Sequence, residues 1–590
     1  MFVGGSNLVL ILLAQICTWF LTVLAEKLVK PGTRFPICNP KIVAVHFFIS
    51  NCFFYFILIF TGRVLFTAIL GFSLFLLLIF VNNAKYKSLH EPILFSDYDY
   101  VLDAFRFPRL YLPFLGVGYI LGIIVLIFIA GCCYYYDSLR IELFDFQNYS
   151  LFWCMTNIVI SLLVLYISSN VGNAVRFNPL SDLNNYGLLL SIWCYFIEYC
   201  KKPTVVSPFE NLKFHLKQKI IDGTEDIQQN SCESSKFFEN SNLNKYKSDS
   251  LQGENSFLPD NPQTVDVLNC AELKKSDLPH LIAIQSESFF DPRKWNSNIK
   301  TDILKNFDIL RSKSVMHGLV KVPAWGANTI RTEFSFLSGV APEKMKVHQF
   351  SPYQICARNF EIKTMVEFLK SMGYYTVCIH PYFSSFYHRN IIFKKWGFDE
   401  FFDLKSFSDG QKCGAYVSDY ALAEFALKII HKNKAEGKHV FLFLITMENH
   451  GPLNLEPIED HEFSHYFNEI PVNHENNRFF YRTYRDLAVY LRHLKNCDQM
   501  LYMLSNELEK ICDNCSVVFY GDHIPILGDL YDSDGCPDAR VPYFIWNNKQ
   551  RVNNNCFQYL SKSIDQYDTI NIESLSVEWI AMLLHRYLRM

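Results

Sequence analysis

Long apolar runs occupy the first 170 residues, and shorter alternating elements follow after residue 280. Runs of about 18 or more apolar residues can cross a hydrocarbon core as helices. So many long runs in a short stretch are untypical of buried core helices, and residues 1–170 are predicted to form a transmembrane domain of about five helices. The runs are 8–25, 42–61, 64–81, 112–133 and 151–168. The first run lacks a basic n-region, so it is not predicted to be a removable signal peptide.

The middle of the chain is predicted to connect this membrane domain to a second domain. The apolar-aromatic stretch 186–200 is short for a span and is predicted to be an interfacial helix, with Trp193 and Tyr195 at headgroup level. An amphipathic piece follows at 208–221, so 171–221 is predicted as an interfacial region. Residues 222–278 are rich in Asn, Ser, Asp, Glu and Lys, which predicts a flexible polar linker.

From residue 279 to 590, strand-like and helix-like patterns alternate, which favours a mostly parallel α/β sheet. Predicted strands are 280–285, 316–322, 375–380, 439–446, 516–520 and 542–546. Several of them are continuous apolar runs, as expected of strands buried on both faces. Predicted helices are 329–337, 362–371, 386–395, 418–432, 483–508 and 573–588. Ligands of such sheets bind at the carboxyl ends of the strands.

Composition narrows the classes of function. Half of the 590 residues are hydrophobic, and the net charge is −3, so no global field points to nucleic acid. Cys512 and Cys515 form a single CxxC, which is a weak metal or redox signal without a second pair. A local disulfide or two free thiols explain this pair better than a metal site.

Groups suited to metal chemistry follow two of the predicted strands. Glu287 follows strand 280–285, and Asp522 and His523 follow strand 516–520. A charge beside an apolar strand is costly unless it meets a cation. Adjacent Asp and His form a compact ligand pair for a divalent metal. Taken singly, Glu287 also fits a solvated loop acid, and Asp522-His523 an exposed turn.

Thr329 begins a predicted helix and carries the hydroxyl that would complete this site. A hydroxyl held by a metal is an activated nucleophile. Threonine is also a common N-cap, and a helix N-terminus is where a phosphate is held, so both alternatives favour the same geometry. Asn328, directly before it, can donate a hydrogen bond to a phosphoryl oxygen.

Two further strand ends carry groups that fit phosphate chemistry. His450 follows strand 439–446 and either serves the leaving group or a phosphate oxygen, or is a structural histidine. Arg389 follows strand 375–380, close to Tyr387, and offers a guanidinium for bidentate phosphate contact. Lone arginines are also common on protein surfaces.

The chain resembles the lipoteichoic acid synthase and phosphoglycerol transferase family of the alkaline phosphatase/sulfatase superfamily. The order of motifs carries the resemblance: Glu287, Thr329, Tyr387-His388-Arg389, His450 and Asp522-His523. The segment His90-Glu91-Pro92-Ile93-Leu94-Phe95-Ser96-Asp97 is also similar to a loop between spans in bacterial members. The resemblance implies an α-helical membrane domain followed by an α/β sulfatase-like domain with a mostly parallel central sheet.

The resemblance also implies a ligand set and a reaction. One divalent ion, Mn²⁺ in the family with Zn²⁺ or Mg²⁺ as alternatives, would be bound by four residues: Glu287, Thr329, Asp522 and His523. Thr329 would be the nucleophile, and the substrate contacts would be Asn328, Tyr387, Arg389 and His450. The reaction would move glycerol-phosphate from phosphatidylglycerol to a glycan or polyol-phosphate acceptor through a phospho-threonine intermediate.

Three departures affect the substrate that the resemblance implies. Tyr387 stands where the polymerases have tryptophan, and His388 where they have asparagine. The motif from Gly326 to Phe334 is closer to Gram-negative members. The alternatives are therefore a phosphoethanolamine transferase, a sulfatase-like hydrolase or phosphodiesterase, and a non-catalytic multispan scaffold. A sulfatase usually needs Cys or Ser for conversion to formylglycine, which Thr329 cannot undergo.

The family implies a multi-pass protein of the bacterial inner membrane with its catalytic domain outside the cytoplasm. The charges point the other way, because the positive-inside rule places basic connections in the cytoplasm. The first connection carries Lys27, Lys30, Arg34 and Lys41, and the third carries Lys85, Lys87, Arg106 and Arg109. We expect the catalytic domain to lie outside the cytoplasm. Either 186–200 forms an extra crossing, or the charge bias is a misleading signal.

Overall fold

The computed structural model describes residues 3–33, 39–108, 117–137, 150–167, 175–210 and 278–549, apart from 359, 472–473 and 513. The predicted linker up to residue 277 and the predicted helix 573–588 lie outside these residues, as does most of the predicted piece 208–221.

The first part of the chain is helical, as its apolar runs predict. Four helices are long and apolar enough to cross a membrane, and the fifth predicted span is a shorter apolar helix. In chain order the helices are α1 (Val3–Ala25), α2 (Pro40–Thr61), α3 (Val64–Leu89), the short α4 (Val101–Arg106), α5 (Val117–Tyr136) and α6 (Ser150–Ile167). α6 packs along α2, where the Asn51 amide donates to the Ser161 hydroxyl across 2.8 Å.

Hydrogen bonds between the helix ends define which way the helices run. The Lys30 amide donates to Asn83 of α3 across 2.8 Å, so the end of α1 and the end of α3 lie on the same side. Arg63, between α2 and α3, donates to the Asp137 carbonyl across 3.1 Å at the opposite side. α1 and α3 therefore run in one direction, and α2 and α5 in the other.

Two short helices, α7 (Pro179–Tyr186) and α8 (Leu188–Tyr199), lead out of this bundle. α8 has 12 residues and is too short to cross a hydrocarbon core of about 30 Å. Its buried Cys194 and Tyr195 share a core cluster with Ile49 of α2 and Phe350 of the next domain. The predicted helix at 186–200 therefore exists, does not cross, and joins the two domains.

A seven-stranded sheet forms the centre of the second domain. The strands are β1 (His280–Ser286), β2 (Met316–Val320), β3 (Tyr375–Ile379), β4 (Glu400–Phe402), β7 (Val440–Ile445), β8 (Cys515–Gly521) and β9 (Val541–Asn547). Their order in the sheet is β2-β9-β8-β1-β7-β3-β4. Strands β8, β1, β7, β3 and β4 are parallel, while β9 runs antiparallel to both of its neighbours, β8 and β2. A separate hairpin pairs β5 (Lys412–Cys413) with β6 (Tyr416–Val417).

Helices cover both faces of this sheet, and the central strands are entirely buried, which explains their continuous apolar sequences. The helices are α9 (Lys305–Lys313), α10 (Thr329–Ser338), α11 (Pro352–Arg358), α12 (Met365–Ser371), α13 (Arg389–Lys395), α14 (Asp419–Ala435), α15 (His474–Ile511) and α16 (Gly528–Asp534). The six predicted strands are present. β4 and the β5–β6 hairpin were not predicted, because two or three residues are too short to show a period. Cys512 and Cys515 are not joined by a disulfide.

Candidate active site

The register of the central strands brings Glu287 and Asp522 together. β1 and β8 are parallel neighbours, and Ser286 at the end of β1 pairs with Gly521 at the end of β8. The next residue of each strand is therefore Glu287 and Asp522. A side chain at Gly521 would not fit, because a Cβ atom there would lie 2.0 Å from the Phe289 carbonyl oxygen.

Glu287, Asp522 and His523 form a buried cluster of metal-ligand groups. One ligand atom of each lies within 4.8 Å of the others. His523 Nε2 lies 3.6 Å from a Glu287 carboxylate oxygen and 3.4 Å from Asp522 Oδ2. All three side chains are almost inaccessible to solvent. Two carboxylates without water cost much free energy unless a cation offsets their charge.

The hydrogen bonds around this cluster leave lone pairs facing its centre. His523 Nδ1 lies 3.0 Å from the Ile524 carbonyl oxygen, which can only accept, so Nδ1 carries the proton and Nε2 is left with a lone pair. Asp522 Oδ1 accepts from the Ser288 amide across 2.7 Å, while Oδ2 accepts no hydrogen bond from the described residues. Burial and the neighbouring Asp522 charge raise the pKa of Glu287 to about 8. These donors fit a divalent cation.

Thr329 is the first residue of α10 and is buried. Asn328 takes the N-cap position in a left-handed conformation, with φ of 66°, and its side chain makes no capping hydrogen bond. The alternative that Thr329 is itself the N-cap is therefore wrong. One turn along the helix, the Thr332 hydroxyl donates to the Asp522 carbonyl oxygen across 2.8 Å. The helix of Thr329 is thus tied to the loop of Asp522.

Arg389 is held by a partner that the sequence patterns did not reveal. Its Nε and Nη2 donate to the two oxygens of Glu333 across 3.1 and 2.9 Å, and Tyr353 also donates to Glu333. Both members of this ion pair are buried. The third nitrogen, Nη1, has no acceptor among the described residues. A buried guanidinium nitrogen without a partner can donate to an oxygen of a bound anion.

Tyr387 and His388, directly before Arg389, have an unusual backbone conformation. Their φ values are 57° and 60°, both left-handed, and α13 begins only at Arg389 instead of at the predicted residue 386. The Arg389 guanidinium lies 5.3 Å from the centre of the Tyr387 ring. Ser288, directly after Glu287, is also left-handed, with φ of 53°. Such strained residues cluster at functional sites.

Comparison with known proteins agrees with this geometry. The sequence model of the Sulfatase family matches residues 279–571. The second domain is a Sulfatase-family domain of the alkaline phosphatase superfamily. Members of this superfamily use a divalent metal.

Relatives of the chain include two bacterial proteins and one solved bacterial structure. The capsular polysaccharide biosynthesis protein RkpI of Rhizobium meliloti (strain 1021) is 26% identical over 492 residues, covering 82% of this chain and 77% of RkpI. Lipoteichoic acid synthase 1 of Bacillus subtilis (strain 168) is 26% identical over 189 residues, covering 29% of this chain and 27% of the synthase. The crystal structure of the lipoteichoic acid synthase LtaP from Listeria monocytogenes is 24% identical, with a TM-score of 0.36, over 45% of this chain and 65% of LtaP.

In the Sulfatase-family domain, His450 lies on the loop after β7. Its Nδ1 is 2.6 Å from the Gly451 carbonyl oxygen, so Nδ1 carries a proton and Nε2 is free to exchange one. Burial lowers the pKa of His450. The Tyr416 hydroxyl donates to the same Gly451 carbonyl across 3.0 Å and fixes the loop.

Sequence reasoning missed His380, which is buried directly after β3. Burial and the Arg389 charge lower its pKa well below the usual value, and the His450 charge acts in the same direction. His380 is therefore a neutral imidazole close to both residues. Its place after a parallel strand is the same signal that identified Glu287.

A second group of ligand-type residues supports the loop of His450. Cys413, Glu448 and His493 lie within 4.8 Å of one another. The His493 ring lies between two carboxylates, 3.0 Å from Glu448 and 2.9 Å from Glu456. Although burial opposes it, hydrogen bonds with Cys413, Glu448 and Glu456 raise the pKa of His493 to about 11. The charged ring bridges the two acids and anchors Glu448, two residues before His450.

Proposed function

We propose that this protein is a membrane-anchored, metal-dependent phosphoglycerol transferase. It moves glycerol-phosphate from phosphatidylglycerol to a glycan or polyol-phosphate acceptor through a phospho-threonine intermediate. The observation that carries the proposal is the buried cluster of Glu287, Asp522 and His523, whose loop is hydrogen-bonded through Thr332 to the helix that starts at Thr329. The similarity to the synthase from Bacillus subtilis supports the choice of substrate class.

Glu287, Asp522 and His523, together with the Thr329 hydroxyl, would hold the metal ion, for which we propose Mn²⁺. When bound, a divalent ion lowers the pKa of a hydroxyl and offsets the negative charge of a phosphoryl group. The cluster fits this role because its unpaired Asp522 oxygen and the lone pair of His523 face the same centre.

The donor phosphate would be held by groups that have unused hydrogen-bond donors. Arg389 Nη1 is buried without an acceptor among the described residues, while Glu333 fixes the rest of the guanidinium. The first amides of α10 and the Asn328 side chain lie beside Thr329, and a helix N-terminus favours an anion. Tyr387 would border the donor head group from the Arg389 side.

In the first half of the reaction, Thr329 Oγ1, having released its proton to solvent, attacks the phosphorus as an alkoxide, and the bond to the diacylglycerol oxygen breaks. Protonated His450 gives its Nε2 proton to that oxygen, so diacylglycerol leaves as a neutral alcohol. The product is a phosphoglycerol ester of Thr329 and a neutral His450.

In the second half, a hydroxyl of the acceptor attacks the same phosphorus. Neutral His450 takes the proton of that hydroxyl, and the bond to Thr329 Oγ1 breaks. The lowered pKa of His450 suits this step, because it favours the neutral imidazole that accepts the proton. Each half leaves His450 in the protonation state that the other half needs.

The spans are consistent with a donor that resides in the bilayer, and we propose that the catalytic domain lies on the extracytoplasmic side of a bacterial inner membrane. Lys85, one of the basic residues behind the opposing charge signal, contacts Glu91 at 2.9 Å and Asp97 at 2.6 Å. Reporter fusions at residue 210 would test the orientation. A reporter active only in the cytoplasm would contradict it.

The donor is tested with the purified full chain in nanodiscs that contain Mn²⁺ and labelled phospholipids. We expect release of diacylglycerol from phosphatidylglycerol, with phosphatidylethanolamine a poorer donor. The reverse ranking would identify a phosphoethanolamine transferase. Turnover of aryl sulfates but of neither lipid would identify a sulfatase. The Thr329→Ala protein is the matched control and should release nothing.

A further inference from the structure

A buried arginine in the helix of Thr329 has its carboxylate partner in the membrane domain. Arg331 lies two residues after Thr329 and is 7% exposed. Its Nη1 and Nη2 donate to the two oxygens of Glu91 across 2.6 and 3.1 Å, and its Nε donates to the Phe350 carbonyl across 3.1 Å. All three guanidinium nitrogens are therefore used, and two of them depend on Glu91.

Glu91 is itself fixed by charges at the end of α3. Lys85 Nζ lies 2.9 Å from Glu91 and 2.6 Å from Asp97, and it also donates to the Pro92 carbonyl across 3.0 Å. The four charged residues thus form a chain of alternating acids and bases that ends in α10: Asp97, Lys85, Glu91 and Arg331. The pKa of Glu91 is lowered to about 2, because Arg331 and Lys85 outweigh its burial. Removal of the Glu91 charge would leave Arg331 buried without a counter-charge, which is costly.

The same connection between α3 and α5 reaches the other half of the site. The Tyr100 ring lies 5.6 Å from the Tyr387 ring, and the Tyr100 hydroxyl lies 3.0 Å from the Ser351 hydroxyl. The Phe107 ring lies 5.3 Å from the Phe386 ring, next to Tyr387. Residues 90–107 therefore contact both the helix that starts at Thr329 and the loop of Tyr387.

We propose that Glu91 is a positioning residue, which fixes the start of α10 through Arg331, so that the connection between two spans completes the active site. The inference rests on the proposed function, since it takes Thr329 as the nucleophile. A simple docking contact between the two domains would have a different effect. It would alter use of the lipid donor, but not the chemistry on a small soluble phosphodiester.

The test compares Glu91→Gln with Asp99→Asn in the full chain in detergent with Mn²⁺. Asp99 is the matched control, because it lies in the same connection and pairs with Arg358, a residue of α11, across 3.0 Å. The substrate is bis(p-nitrophenyl) phosphate. A misplacement of a reacting group by about 1 Å can lower the reaction rate about 10²-fold. We therefore expect kcat to fall about 10- to 100-fold in Glu91→Gln, with KM little changed. Asp99→Asn should lower kcat less than Glu91→Gln does, because the Asp99–Arg358 pair makes no bond to α10.

Amide hydrogen exchange gives a readout that does not depend on activity. In Glu91→Gln, the peptide that contains Thr329–Ser338 should exchange faster, while peptides of α15 should not change. If Glu91→Gln does not accumulate as a folded protein, Glu91→Asp, which keeps the charge but shortens the side chain, serves the same comparison. The double variant Glu91→Gln/Arg331→Gln should be no slower than Glu91→Gln alone, because the two residues act as one unit.

The outcomes separate this inference from the proposed function. Unchanged exchange of the α10 peptide overturns the positioning role, and a change confined to the KM for the lipid donor reduces Glu91 to a docking contact. The positioning role is also overturned if Glu91→Gln and Arg331→Gln each lower kcat and the double variant shows the product of the two losses. If the wild type has no phosphodiester activity, the proposed function fails, and the exchange result still decides whether Glu91 positions α10.

Discussion

The hydroxyl of Thr332 donates to the main-chain carbonyl oxygen of Asp522 across 2.8 Å, and so joins the helix of Thr329 to the loop of two proposed metal ligands. Thr332→Val keeps the shape but leaves a buried carbonyl unpaired, which costs about 1–3 kcal/mol of stability. We expect kcat to fall about tenfold or more, because Thr329 and the proposed metal ligands are no longer held in a fixed position relative to one another. Thr332→Ser, which keeps the hydroxyl, should retain most activity. Equal activity of the two variants would remove this link from the mechanism.

Thr329→Ala should abolish transfer, with a loss of several orders of magnitude, as is typical when a nucleophile is deleted. Stability should change by about 1 kcal/mol or less, because Thr329 is not the N-cap of its helix. Thr329→Ser should keep partial activity. Mass spectrometry of protein trapped with the lipid donor should locate the adduct on the peptide that contains Thr329. An adduct elsewhere contradicts the mechanism.

Metal affinity should fall as the pH decreases. The pKa of Glu287 is raised to about 8 without metal, so its carboxyl is mostly protonated at pH 7 and must lose a proton when the ion binds. One released proton lowers the apparent affinity by about tenfold per pH unit below that pKa. Titration of the metal-free full chain with Mn²⁺ at pH 6, 7 and 8 measures the slope. Glu287→Gln should bind more weakly and with a flatter slope, whereas an unchanged slope would exclude Glu287 as a ligand.

Arg389→Lys should impair the enzyme although it keeps the charge. A lysine cannot hold Glu333 with two nitrogens and still offer a third to phosphate. We expect kcat/KM to fall about 10²- to 10³-fold, as for loss of one preorganised donor. Glu333→Gln keeps the guanidinium but weakens its support, so its effect should be smaller. A larger loss in Glu333→Gln would mean that the ion pair serves folding instead of the phosphate.

His493 should make the fold sensitive to alkaline pH. Its pKa is raised to about 11 in the folded chain, so its stabilising contribution is fully present below the unfolded value and is lost as the pH rises toward 11. The Tm of the wild type should therefore drop more between pH 7 and pH 10 than that of His493→Gln. Parallel curves for the two proteins would show that the ring is not charged between Glu448 and Glu456.

The sheet and its ligand edge were predictable because both depend on local sequence patterns. The continuous apolar runs that become β1 and β8 end at Glu287 and Asp522, and parallel strands present their carboxyl ends at one edge. The residues of the metal-type cluster therefore follow from the strand pattern alone. The edge strand β4 and the β5–β6 hairpin do not, because they are too short to carry a pattern.

The groups that hold the site in place depend on long-range packing and were not predictable. Glu333 lies in a helix in which every residue is buried, so no polar face marks it as the partner of Arg389. Glu91 and Arg331 are 240 residues apart in the sequence. The left-handed backbone at Tyr387 and His388 contains no glycine, so nothing in the sequence indicated it.

That backbone has a consequence for any attempt to make the protein more robust. Two consecutive residues with side chains in the left-handed region cost about 1–2 kcal/mol each, a sizeable part of the net stability of a domain. Selection for heat resistance alone should therefore favour glycine at Tyr387 and His388. The variants that survive would fold better and react worse, because they would lose the Tyr387 ring that lies 5.3 Å from the Arg389 guanidinium.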